Sequence, residues 1–216
     1  MHAFLFDLDG VLVDTAKYHY QAWQAVCKQL GFDLSQEENE KLKGIDRVTS
    51  LKILLDLGNI KLTQKDFEDW LVKKNDHYLT LIENLNPSDL FEGALPLFKE
   101  LKKRKIKIGL GSASKNAKYI LDKLQITPYF DFIVDGTMTT NGKPDPQVFL
   151  LGAKGCSVLP ENCVVFEDAE AGIEAAITGN MKAVGIGNEK VLKEAYLIYP
   201  HLKDVDLESV LKLFGE

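Results

Sequence analysis

Four short apolar runs in this chain each close on polar residues, and this narrows the folds open to it more than any other feature. Phe4-Leu5-Phe6 runs into Asp7, with Asp9 two residues on; IKIGLGS (106–112) ends at Ser112; FDFIVD (130–135) ends at Asp135; CVVFED (163–168) ends at Glu167 and Asp168. Each reads as a short buried strand. Helical periodicity separates them: a helix near 94–104, one from Ser114 as N-cap to Leu124, one opened by Pro144 and Pro146 and running to about Lys154, and one over 170–178. A further strand, MKAVGIG (181–187), follows. This alternation predicts an α/β fold, a mostly parallel sheet with helices on both faces.

Between the first strand and this alternating region lies a stretch of different texture. Apolar residues recur at helical spacing from Ala16 to Leu30, with Gly31 as the stop; 35–43 and 46–57 read as two more helices, the second ended by Gly58. Thr63 with Asp66 resembles a capping box opening a long helix to about Asn84, and Asn86-Pro87 breaks the pattern. Residues 16–84 therefore read as an inserted helical domain, and 1–15 with 85–216 as the core.

The bulk numbers exclude several classes. At 216 residues, 45% hydrophobic and 27% charged, the chain has the length and composition of an ordinary globular protein. Its net charge is −6 and its lysine clusters are short and split, which speaks against nucleic-acid binding through a basic patch. Cys27, Cys156 and Cys163 are odd in number and lack metal spacing, so free thiols in a reducing compartment are expected. Asp7 and Asp9 interrupt the N-terminal apolar run, which disfavours a signal peptide, and no stretch approaches a membrane span. The expectation is a cytoplasmic protein, a monomer, engaging neither nucleic acid nor membrane.

In a parallel sheet, successive right-handed crossovers bring strand ends to one edge, where ligands collect. Asp7, Asp9, Ser112, Lys143, Glu167 and Asp168 can converge there. Taken singly, Ser112 is a turn residue or cap, Lys143 a surface lysine and the Glu167-Asp168 pair a helix cap. Together they make a coherent set. Clustered carboxylates need a cation, and oxygen-only ligands suit Mg²⁺. A lysine and a hydroxyl suit the remaining phosphate oxygens. Such a set describes phosphoryl transfer, in which positioning and charge neutralisation carry most of the catalysis.

At FDLDGVLVDT (6–15) the chain resembles the haloacid dehalogenase-like phosphotransferases, and the resemblance extends along its whole length. It implies a Rossmann-like core with an inserted helical cap. By similarity, Asp7 is the nucleophile that becomes an aspartyl-phosphate and Asp9 the general acid/base. Asp7, the backbone carbonyl of Asp9, Glu167 and Asp168 would surround Mg²⁺, while Ser112, beside Ala113, and Lys143 would hold the transferring phosphate.

Within that family, a mutase needs a second anion site for its bisphosphate intermediate. LKGIDRVTS (42–50) in the insert, with Leu42, Gly44, Arg47 and Ser50, and SASKN (112–116), with Ser114, Lys115 and Asn116, resemble the segments that hold the non-transferring phosphate in the family's sugar-phosphate mutases. Thr15, His19, Trp23, Lys74 and Asn75 also match hinge and cap positions. Singly, Arg47 reads as a solvated charge, Trp23 as core and His19 as a satisfied interior histidine; at matching spacings together they favour the mutase. The resemblance thus implies conversion of β-D-glucose 1-phosphate to glucose 6-phosphate through β-glucose 1,6-bisphosphate, with a Mg²⁺-dependent phosphatase of small sugar phosphates as the alternative. A silent phospho-ligand binder is disfavoured by the intact Asp7/Asp9 pair. GTMTTNG (136–142) does not match the pattern readily.

Overall fold

The structure is a computed structural model and describes residues 1–215. Six strands, β1 (Ala3–Phe6), β2 (Lys107–Gly111), β3 (Phe132–Val134), β4 (Cys163–Glu167), β5 (Lys182–Ile186) and β6 (Leu197–Tyr199), form one sheet in the order β3-β2-β1-β4-β5-β6. Every neighbouring pair is parallel. The connections run outward from β1 through β2 to β3, then return to β4 on the other side of β1. The chain therefore reverses direction across the sheet between β1 and β4, where open α/β sheets form a crevice beyond their C-terminal ends.

Strand alternation explains how the sheet is covered. Phe4 and Phe6 of β1, Ile108 and Leu110 of β2 and Val164 and Phe166 of β4 share one buried cluster. It includes Phe98 and Leu101 of α5 (Ala94–Lys103), Ile120 and Leu121 of α6 (Ala117–Lys123) and Val210 of α9 (Leu207–Leu211). Ala3 and Leu5 belong to the other cluster, with Val148 and Phe149 of α7 (Gln147–Gly155) and Ile173 and Ala176 of α8 (Glu170–Thr178). The Phe6 and Phe166 rings stack at 4.7 Å and Phe98 meets Phe6 edge-on at 5.3 Å. Each such buried ring contributes about 1.5–3 kcal/mol through removal from water. In β2 a Cβ on Gly111 would lie 2.7 Å from the Phe149 ring, so α7 packs closer there than a side chain would permit.

Residues 16–84 supply four helices and no strand: α1 (Ala16–Gln29), α2 (Gln36–Glu40), α3 (Arg47–Leu57) and α4 (Gln64–Leu81). Trp23, Val26 and Cys27 of α1 and Leu51, Leu54 and Leu55 of α3 build a third cluster with Leu34 and Leu42. Ala22 of α1 and Tyr78 and Ile82 at the end of α4 belong instead to the sheet's cluster, so both connections of the helical segment are anchored on the core.

The boundaries depart from the sequence reading in three places. The second helix ends at Glu40 and not at 43, releasing 41–44 into a turn that carries Leu42 and Gly44. Asn116, not Ser114, precedes α6: the Ser114 Oγ accepts from the Asn116 N–H at 3.2 Å, a local turn that delays the helix to Ala117. The edge strand β6 and the short helix α9 are additions. Cys27, Cys156 and Cys163 are free and buried. Among the described residues no helix is long and apolar enough to cross a membrane.

Candidate active site

The site begins where β1 ends. The Asp7 N–H continues the ladder to the Phe166 carbonyl at 3.0 Å, after which the chain folds back on itself. Gly10 N–H donates to the Val13 carbonyl and Leu12 N–H to the Leu8 carbonyl, while Leu8, Val11, Leu12 and Val13 are all buried. Gly10 adopts φ +90°, and a Cβ there would lie 2.1 Å from Asp168 Oδ2. Only glycine suits both that conformation and that approach. The loop thereby sets Asp7 and Asp9 at the crevice with Asp168 against its turn.

Lys143 ties the strand ends together. Its side chain is fully buried, and Nζ donates to Asp7 Oδ1 at 2.6 Å, to Glu167 Oε1 and to the Gly111 carbonyl at 3.2 Å. Burial alone would lower the lysine's pKa, but the charges of Asp7 and Glu167 outweigh it and hold the ammonium above its usual range. Carboxylate oxygens of Asp7, Glu167 and Asp168 lie within 4.8 Å of one another. Burial, only partly offset by Lys143, pushes Glu167 up to about 7; burial with the charges of Glu167 and Asp7 raises Asp168 well above the usual carboxylate range. One ammonium serves three clustered carboxylates and leaves that of Asp168 without a partner, a surplus of acceptor oxygens that a divalent cation would satisfy.

A second chain of contacts surrounds Asp9. Thr15, fully buried, donates its hydroxyl to Asp9 Oδ1. Burial and the Asp7 charge raise Asp9 to about 6, against the Thr15 hydrogen bond. That is near enough to neutrality for both acid and base roles. His19 Nε2 stands 3.8 Å from Asp9 Oδ1, and its Nδ1 lies 2.7 Å from Lys74 Nζ. Burial, with the charges of Lys74 and Arg47, holds His19 well below its ordinary pKa. With Nδ1 accepting from Lys74, the neutral ring carries its proton on Nε2, toward Asp9.

Lys74 is 2% exposed, between the Trp23 ring at 4.8 Å and the Tyr78 ring at 4.7 Å. Burial, then the Arg47 charge, pushes it down to about 7. Between that value and the unfolded value of 10.5, the unfolded chain holds the extra proton, so this group makes stability rise with pH. Below about 7 both states are protonated and the full cost of burying the charge remains. Lys74→Met should therefore gain stability relative to the parent at pH 6 and lose most of that advantage by pH 9.5, measured by urea unfolding of both proteins.

A cavity of about 680 Å³ opens between the helical segment and the strand ends. Asp7, Asp9, His19, Trp23, Leu42, Gly44, Arg47, Ser50, Lys74, Ala113, Ser114 and Lys115 line it. Seven further residues singled out from the sequence do not. Thr15 acts through Asp9, and Lys143 and Glu167 are buried against Asp7. Ser112 is buried, its Oγ accepting from the Ser114 N–H at 3.1 Å; Asn116 Nδ2 donates to Asn75 Oδ1 on α4 at 3.0 Å; Asp168 faces elsewhere. Arg47 is half-buried and makes no ion pair or hydrogen bond among the described residues.

The sequence reading missed part of the wall. Lys43, Asp46, Val48 and Lys52 line the cavity from the helical segment, and Gly136, Thr139, Thr140, Asn141 and Gly142 from the core loop. The two sides touch: a Cβ on Gly142 would sit 2.7 Å from Asp46 Oδ2, and one on Gly44 would sit 3.3 Å from the Ala169 Cβ. Asp46 also caps α3, accepting from the Val48 and Thr49 N–H groups. That cap was legible in IDRVTS; its proximity to a loop nearly a hundred residues away was not.

Comparison with known proteins agrees with this geometry. The family model of the haloacid dehalogenase-like hydrolases matches residues 1–180. The beta-phosphoglucomutase of Bacillus subtilis is 42% identical over 210 residues, covering 96% of this chain and 93% of its own. A crystal structure of beta-phosphoglucomutase from Clostridium difficile superposes with a TM-score of 0.96 at 41% identity, covering 100% of this chain and 97% of that one. Fructose-1-phosphate phosphatase of Escherichia coli is 31% identical, covering 84% of this chain and 94% of its own.

Proposed function

Because this chain belongs to the haloacid dehalogenase-like hydrolase family, we propose that it transfers a phosphoryl group through an aspartyl-phosphate on Asp7, interconverting β-D-glucose 1-phosphate and glucose 6-phosphate through β-glucose 1,6-bisphosphate. The observation that carries this reading is that one cavity joins the Asp7/Asp9 pair to a second, separate set of anion-binding groups, Arg47, Ser114 and Lys115. A bisphosphate needs both sets.

In this reading Asp7 attacks phosphorus while Lys143 holds its carboxylate in line. Asp9 gives its proton to the departing sugar oxygen, then takes one from the hydroxyl that attacks next. Residues 16–84 act as a cap on the core formed by 1–15 and 85–216, and its closure excludes water from the aspartyl-phosphate. Asp7, Glu167, Asp168 and the Asp9 carbonyl would hold Mg²⁺, which when bound offsets the repulsion between Asp7 and the incoming phosphate. Ser112 and Lys143 take the transferring phosphate; Thr15, His19 and Lys74 set the state of Asp9. The sugar stands between Trp23, Leu42, Gly44 and Ser50. We assign the activity to a cytoplasmic monomer with small sugar phosphates as its partners; the free cysteines support the reducing compartment.

The phosphatase alternative draws on the E. coli relative, a phosphatase of comparable coverage. Product analysis separates the two. With glucose 1-phosphate, Mg²⁺ and a trace of the bisphosphate, glucose 6-phosphate should be the main product; stoichiometric inorganic phosphate would replace the mutase with the phosphatase. Arg47→Ala should cut use of the bisphosphate by about 10- to 100-fold, as expected for losing a hydrogen bond to a charged group. Phosphorylation of Asp7 by acetyl phosphate, which has no second phosphate, should change little. Equal losses with both donors would show that Arg47 supports the fold or the nucleophile instead.

A further inference from the structure

Asp7 and Asp168 face different spaces. Asp7 lines the 680 Å³ cavity, whereas Asp168 lines a second cavity of about 470 Å³ bounded by Gly10, the end of β5 with the two residues after it (186–188) and residues 200–203. The acidic triad therefore stands as a wall between the two. Lys143 holds both Asp7 and Glu167, but the Asp168 carboxylate makes no hydrogen bond and no ion pair among the described residues. The other acids of the second cavity are matched: Glu40 by Lys43 at 2.9 Å, Glu92 by Lys203 at 2.8 Å, Asp14 by Lys17 at 3.0 Å. Asp168 is thus the one acid of that lining without an ion pair or hydrogen bond of its own, its carboxylate turned to the second cavity in the field of Lys43 and Lys143.

The first cavity is poorly suited to ion traffic during turnover. Its two sides approach at Gly142 against Asp46, and a bound sugar phosphate would fill the space between. We propose that the second cavity is the passage through which the divalent cation reaches and leaves the triad while substrate occupies the first. This rests on the metal reading above. Size permits it: a six-water shell around the ion needs about 180 Å³ at roughly 30 Å³ per water. The second cavity holds about 470 Å³, so the ion can arrive hydrated and shed water only at Asp168.

The test follows Mn²⁺, whose hydrated ion gives an EPR signal, as it leaves the protein into excess Mg²⁺. Saturating glucose 6-phosphate should leave the release rate of the parent unchanged. Val191→Trp, at a 40% exposed position lining the second cavity, should slow association and release by the same factor and leave Kd unchanged. That pattern marks an obstructed passage and not a weakened site. Glu92→Lys, at the exposed Lys203 pair, should lower the association rate about tenfold at low salt by reversing the steering field. Release that sugar phosphate blocks in the parent, with Val191→Trp exchanging at the parent rate, would overturn the passage and leave the metal site standing. Absence of Mn²⁺ binding in the parent would overturn the metal reading and the passage with it.

Discussion

Asp7→Asn should abolish turnover, by on the order of 10⁴-fold or more, the scale seen when a covalent nucleophile is removed. The amide has almost the shape of the carboxylate and can keep the Phe166 ladder bond, which uses the Asp7 backbone. What it loses is nucleophilicity: its nitrogen is a donor and its oxygen a poor attacking group. Lys143 keeps Glu167 and the Gly111 carbonyl as acceptors, so the folded state survives the exchange. Acid-quenched single-turnover reactions with labelled bisphosphate should show phosphoenzyme in the parent and none in the variant, with both proteins melting cooperatively. Retained turnover in folded Asp7→Asn would remove Asp7 from the chemistry and reduce it to a partner of Lys143.

How much of this was legible in the sequence depends on where the signal resides. β1, β2 and β4 were readable because strands covered on both faces must be apolar throughout, and FLF, KIGLG and CVVF stand out from the helices around them. β6 is three half-buried residues, Leu-Ile-Tyr, at the sheet edge, and three residues carry no period. The start of α6 was misplaced because Ser114 and Asn116 both have capping side chains; three-dimensional context decided that Ser114 makes the turn. Asp7 and the Glu167-Asp168 pair could be placed at strand ends by pattern alone. Lys74 could not, since a lysine in an amphipathic helix is ordinarily solvated. Its burial comes from Trp23 and Tyr78 converging from α1 and α4; the resemblance named Lys74 as a cap position and said nothing of that burial. Likewise the loop 136–142 has no period to read, and it enters the cavity wall because Gly142 packs on Asp46. Such contacts belong to the closing of one segment on another and leave no trace in local spacing.

Lys143→Met is the second large effect, and it separates a charge role from a packing role. Methionine keeps most of the buried stem and its contact with Phe149, whose ring lies 4.7 Å from Nζ. It removes the only ammonium that hydrogen-bonds Asp7 and Glu167 among the described residues. Breaking a buried ion pair by deleting one partner costs about 3–5 kcal/mol, because the remaining charge stays unpaired. The metal-free variant should therefore melt well below the parent in EDTA. Its site is also more negative by one charge, so a divalent cation should bind it more tightly than it binds the parent. Mass action then stabilises the folded form by about 2.7 kcal/mol at a hundred times Kd, and the gain grows as Kd falls. The expected result is a larger Mg²⁺-induced rise in Tm for Lys143→Met than for the parent, with turnover still lost because Asp7 no longer has its lysine. Equal Tm deficits in EDTA and in Mg²⁺ would mean that the lysine contributes its packing and not its charge, and would separate it from the metal site.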